Sequence, residues 1–237
     1  MRNTAVAVIM LSAAWCRATI ADSCQSENLS TPRAVLDCTV LLNNKGDANT
    51  ACKRFLAAYQ QFVVAGMISN NPLDDIERFL FEGGDCLLSY AQHAVGANAR
   101  ISAAAGAEQF FTAYRDWFSG LDNEHVKQLS NGGRIRSVVR YLGNALAAED
   151  RKGEIPDFYL YSIGEPRFYG PDAIRLWEKT LRELYGAPEK SDSEDAKAEW
   201  REYAKVLIKW AAIPGMLQDD QREHYVDHGN NILQPSS

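Results

Sequence analysis

SDSEDAKAEWREYAKVLIKWAAIPG, Ser191 to Gly215, is the stretch whose reading decides the fold. Its acids gather at the start and its lysines toward the end, as the dipole of a helix favours. Ala196, Trp200, Tyr203, Leu207 and Trp210 recur at three- and four-residue steps, so one face is apolar and must be covered. The same period governs the chain on both sides. GPDAIRLWEKTLRELYG opens on Pro171, closes on Gly186 and aligns Ile174, Trp177, Leu181 and Leu184. AEQFFTAYRDWFSGL aligns Phe110, Tyr114, Trp117, Phe118 and Leu121, and LDDIERFLFEGGDCLLSYAQHAV aligns Ile76, Phe79, Leu80, Leu87 and Tyr90, with Gly83-Gly84 expected to bend or split it. Only DFYLYSI could pass for a strand. The pattern therefore predicts an all-α protein, a disulfide-stapled helical bundle or a stack of helical hairpins. Gly46 and Gly84 each stand before Asp and an apolar run, a spacing expected of hairpin repeats, yet no third copy follows.

At the N-terminus, Met1-Arg2 precedes the uncharged run Thr4–Trp15, and Thr19-Ile20-Ala21 offers a small-x-small cleavage site before Asp22. This is the pattern of a secretory signal peptide over residues 1–21, followed by a single helical domain over 22–237 that is secreted or periplasmic. The run is shorter than the roughly 20 residues a bilayer crossing needs, and no membrane span is expected. Of the 25 basic residues the leader holds Arg2 and Arg17, leaving 23 against 31 acidic ones and a net charge of −8. That charge disfavours nucleic acid and anionic membranes as partners.

Removal of Cys16 with the leader leaves Cys24, Cys38, Cys52 and Cys86, an even number suited to two disulfides in an exported chain. Neither C-x2-C pairs for zinc nor a redox C-x-x-C occurs. Thr31-Pro32 starts one helix, Gly46 ends it and Asp47 or Thr50 starts the next. Cys38 and Cys52 are then equidistant from the turn on apolar faces. That equal offset favours Cys38 with Cys52, which leaves Cys24 with Cys86. The competing set joins Cys24 to Cys38 and Cys52 to Cys86.

Three features could carry function. NGGRIRSVVRYLGN puts Arg134 and Arg136 at a helix start, where backbone N–H groups and guanidinium groups could hold a carboxylate or phosphate. IPDFYLYSIGEPRFYGPD, 155–172, reads as an irregular aromatic-rich loop. Tyr159, Tyr161 and Tyr169 with Glu165 would suit a groove for a peptide or glycan, unless the rings merely cover the core. His224 and His228 share a helical face but lack the context of a metal site, and no metal or cofactor is expected. No G-x-S-x-G, free nucleophilic cysteine or phosphate loop is present. The expectation is an exported, acidic, helical binding or accessory protein of inhibitor, immunity or partner-binding type, without catalysis of its own. Its partner would be another protein, with a glycan as the alternative. A cell-wall or glycan hydrolase using carboxylates near 155–172 is the competing class.

Overall fold

The computed structural model describes Cys24 and residues 29–66, 68–129, 133–161 and 168–234, with the side chain of Tyr161 excepted. The expected leader, residues 1–21, and Glu165 lie outside them. Among the described residues the secondary structure is entirely helical, and no helix is long and apolar enough to cross a membrane.

Local chemistry sets the helices. In α1 (Pro32–Asn44) Pro32 occupies the first turn and the Thr31 hydroxyl accepts from the Ala34 N–H. Gly46, at φ +78°, turns the chain, and the Asp47 carboxylate caps α2 (Ala48–Tyr59) through the Thr50 N–H. The long helices α3 (Leu73–His93) and α4 (Ala97–Ser119) follow, then the short α5 (Asn123–Gln128) and α6 (Ile135–Ala148). The second half comprises α7 (Ile155–Tyr161), α8 (Pro171–Tyr185), α9 (Glu194–Ala211) and α10 (Asp219–Leu233). DFYLYSI thus belongs in part to a helix rather than a strand: residues 157–161 complete α7, so the supposed loop 155–172 begins with more than a helical turn.

α3 runs unbroken through Gly83 and Gly84, against the expected bend. A Cβ at Gly83 would lie 2.3 Å from the Phe110 ring and one at Gly84 2.5 Å from Phe111. Both glycines therefore remove side chain so that two rings of α4 can press against the α3 backbone. The continuous helix shows that the packing gained outweighs the helix propensity lost, about 1 kcal/mol per glycine.

Two apolar clusters result. One gathers Val35, Phe55, Phe62, Phe79, Phe110, Phe111 and Tyr114 from α1 to α4. The other gathers Tyr159, Tyr169, Trp177, Trp200, Tyr203 and Trp210 from α7 to α9. α6 serves both, sending Val138 and Leu142 to the first and Val139 and Leu146 to the second. The stripe Ala196, Trp200, Tyr203, Leu207 and Trp210 of α9 is buried throughout.

The disulfides are Cys24–Cys38 and Cys52–Cys86, with Cα separations of 5.2 and 5.6 Å, within the range such a bridge requires. The favoured Cys38–Cys52 pairing is incorrect. Equal offset from a turn fixes the height of two residues along a hairpin but not the direction in which each points. Cys52 belongs to the stripe of α2 that faces α3, and Cys38 turns to the segment preceding α1.

α10 is attached to the second cluster by a close approach and a polar contact. A Cβ on Gly229 would lie 2.6 Å from Ile208 of α9. His228 Nε2 stands 3.4 Å from a carboxylate oxygen of Glu178 on α8. The same carboxylate accepts from Arg182 Nη2 at 2.8 Å and from the Tyr203 hydroxyl at 3.2 Å. His228 foremost, with Arg182, holds the Glu178 pKa down to about 2, against desolvation. A depressed carboxylate stabilises above its unfolded pKa and loses that stabilisation as pH falls through the folded value. Acidification from pH 5 to pH 2 is therefore expected to remove up to about 3 kcal/mol through this group. Urea melts of Glu178→Gln should show a correspondingly shallower loss over that window; an unchanged acid slope would contradict the assignment.

Candidate functional site

The two clusters meet at a cleft of about 650 Å³, a volume ordinary for a small-ligand site. Phe118 and Ser119 end α4 on one wall, Asn123 and Val126 of α5 lie beside them, and residues 213–216 connecting α9 to α10 contribute Ile213, Pro214 and Met216. Phe168 adds a ring from the aromatic segment, packed edge-on to Phe118 with centroids 6.1 Å apart. The start of α6 supplies Arg134, Arg136 and Ser137. Among the described residues no Asp or Glu lines the cleft, although the chain carries 31 of them.

Arg134 is held from behind. Its guanidinium pairs with Glu77 of α3, itself only 5% exposed, and lies over the Phe81 ring, 4.9 Å from the centroid. The Tyr114 hydroxyl donates to the other Glu77 oxygen at 2.9 Å and accepts the Arg134 backbone N–H at 2.6 Å. Burial, reinforced by the Glu77 charge, pushes the Tyr114 phenol far above its usual range, so it remains protonated and a donor. Gly133 is required where it stands: its φ is +78°, and a Cβ there would lie 2.8 Å from Phe118 and 3.1 Å from the Tyr114 hydroxyl. This buried bracket fixes the entry into α6.

Arg136, by contrast, is exposed, and its Nη2 contacts the Met216 sulfur at 2.9 Å. No carboxylate pairs with it among the described residues. No side chain caps α6, so the first-turn N–H groups beside Arg136 and Ser137 retain donor capacity. The site can accept a negatively charged group at this end and an apolar body against Phe118, Phe168 and Met216.

The aromatic candidates divide. Tyr159 is fully buried, stacked on Trp177 with centroids 5.5 Å apart, and its hydroxyl lies over Gly143 with no hydrogen-bond partner. Tyr169 is 2% exposed, packs edge-on to Tyr159, and its carbonyl accepts from Trp210 Nε1 at 2.8 Å. Neither ring is available to a ligand, and among the described residues of this segment only Phe168 lines the cleft. The Tyr161 side chain and Glu165 fall outside the described residues. Phe168 stood among the crowded rings in the sequence without being singled out. Glu77 could have been noticed as a carboxylate inside the stripe Leu73, Ile76, Leu80, where only a partnered acid is tolerated.

Beside the start of the aromatic segment, three carboxylates converge on one cation. Arg151 Nη1 bonds Glu108 at 2.8 Å and Glu149 at 3.1 Å, and Nη2 bonds Glu154 at 2.6 Å. Burial foremost raises the Glu149 carboxyl. A smaller cleft of about 430 Å³ opens here, lined by Glu108, Glu154, Asp157 and Phe158. With Arg151 among them, Glu108, Glu149 and Glu154 form an ion-pair knot that ties α4 to the α6–α7 turn. His224 lies edge-on to Tyr225, 5.6 Å between centroids, while His228 is engaged with Glu178. Among the described residues no group of three or more His, Cys, Asp or Glu side chains could hold a metal ion.

Comparison with protein-family models, curated proteins and solved structures finds no match.

Proposed function

We propose that this chain is an exported, acidic, helical binding or accessory protein, of the inhibitor, immunity or partner-binding type, and that the cleft at the start of α6 is its ligand site. The ligand class is an anion, carboxylate or phosphate, carried on an apolar or aromatic body. One observation carries the reading: among the described residues, two arginines and no acid line a cleft of about 650 Å³ in a chain of formal charge −6. Arg134 is prepositioned by Glu77 and Tyr114, so little conformational entropy would be lost on binding. Arg136 supplies a charge with which no carboxylate among the described residues pairs. Export is supported by the leader pattern and by two disulfides, which persist in oxidising compartments.

Calorimetric titration with phenyl phosphate and 4-phenylbutyrate, alongside neutral 4-phenylbutanol, tests the reading. Binding of at least one anion in preference to the alcohol is expected, weakened about tenfold or more by Arg136→Glu, because a charge-assisted hydrogen bond contributes about 1.5–3 kcal/mol. Equal binding of the alcohol, or indifference to Arg136→Glu, would overturn it.

A further inference from the structure

A third concavity, sharing no described lining residue with the other two, lies between the hairpin of α1 and α2 and the outer face of α3. It measures about 600 Å³. Phe55, Ala48 and the Cys52–Cys86 disulfide line it together with Thr39 and Asn43. On its rim Val40 is 46% and Tyr90 39% exposed, two of the larger apolar side chains that the fold leaves in water.

The charge here is opposite to that of the cleft. Glu82 and Asp85 line the groove, and no Lys or Arg among the described residues does. Glu82 is engaged by Arg78 from its own helix at 3.1 Å. Asp85 has no hydrogen bond or ion pair among the described residues. Burial, then the neighbouring Glu82 charge, raises its carboxyl against the opposing pull of Arg140, which is itself paired with Asp172, so an arriving cation would be favoured. His93, which lines the groove with the Tyr90 phenol, has its Nδ1 2.8 Å from the Ser89 carbonyl, four residues back on the same helix.

We infer that this groove docks a segment of a partner protein that lays apolar side chains between Val40 and Tyr90 and sets a lysine or arginine against Asp85. A helical segment fits best. The groove runs beside helices, and an amphipathic partner presents apolar residues and a cation on neighbouring faces three or four positions apart. An acidic partner is disfavoured by Glu82 and Asp85, and a neutral apolar one would cover Asp85 without giving it a direct ion pair.

The probe is a synthetic leucine–lysine amphipathic helix of about 14 residues, four turns, with a twin carrying glutamate for lysine. Titrated into 15N-labelled protein, the lysine peptide is expected to shift the amides of Val40, Asn43, Asp85, Ser89 and Tyr90. Its affinity should fall with added salt. Asp85→Asn should weaken it about two- to fivefold, the range for a partly exposed charge pair, and Val40→Ser should weaken it as well. Both positions are exposed, and circular dichroism verifies that the variants fold. Equal binding of the glutamate twin, shifts confined to other surfaces, or an affinity untouched by Asp85→Asn would overturn the assignment.

Discussion

Replacing Cys52 and Cys86 together by alanine is expected to destabilise the protein by about 4 kcal/mol. The bridge closes a separation of 34 residues, and the chain-entropy model gives this magnitude for the freedom returned to the unfolded chain. Loss of the Cys24–Cys38 bridge, which closes 14 residues, should cost about 3 kcal/mol on the same basis. Chemical denaturation of the two double variants checks the order. Tryptic mapping without reduction checks the pairing itself: the peptide Gly46–Lys53 should emerge linked to Phe79–Arg100. Its recovery linked to the Cys38 peptide would restore the hairpin staple and refute the geometry described above.

Tyr159→Ala and Tyr169→Ala are each expected to cost about 3 kcal/mol or more, the range for removing a buried ring from a packed core. Tyr159 is the more telling position, because it stacks on Trp177 and its hydroxyl is buried without a partner. Tyr159→Phe should therefore be neutral or stabilising by about 1 kcal/mol, since the unsatisfied hydroxyl contributes a desolvation cost and no bond. Thermal melting of the pair separates packing from polarity. A Tyr159→Ala variant that melts with the parent would place the ring at the surface and reopen the aromatic segment as a binding loop.

These two results bear on what the sequence could disclose. The helical class was legible because the stripes of α8 and α9 keep their period over whole helices, and burial of Trp177, Trp200 and Trp210 follows directly from it. The caps at Thr31 and Asp47 were equally legible, being local hydrogen-bond chemistry. What failed was direction in three dimensions. Cys38 and Cys52 stand at matching heights, yet their partners come from elements whose azimuth no spacing rule supplies. Gly83-Gly84 looked like a break, because the rings that fill the missing side chains lie on α4, some thirty residues away.

The candidate site was partly legible for the same reasons. Arg134 and Arg136 sit where a helix start was expected, and the structure assembles them with Phe168 in one cleft. Met216 and the Glu77–Tyr114 bracket come from distant stretches, so their convergence required the packed helices. Tyr159 and Tyr169 were drawn away in the opposite sense. A crowd of aromatics separated by prolines resembles a surface loop, but the α7 turn and the carbonyl of Tyr169 anchor both rings beneath α8 and α9.

The central claim is that the cleft at the start of α6 binds an anionic, partly apolar ligand. Its most direct test is a pair of 15N NMR titrations of the disulfide-intact protein, one with phenyl phosphate and one with 4-phenylbutyrate. In at least one of them, saturable shifts are predicted at Gly133, Arg136, Ser137 and Met216, with the amides of the α1–α3 groove unmoved, and loss of these shifts in Arg136→Glu. Shifts absent from those four residues with both anions, or unchanged in Arg136→Glu, would contradict the account.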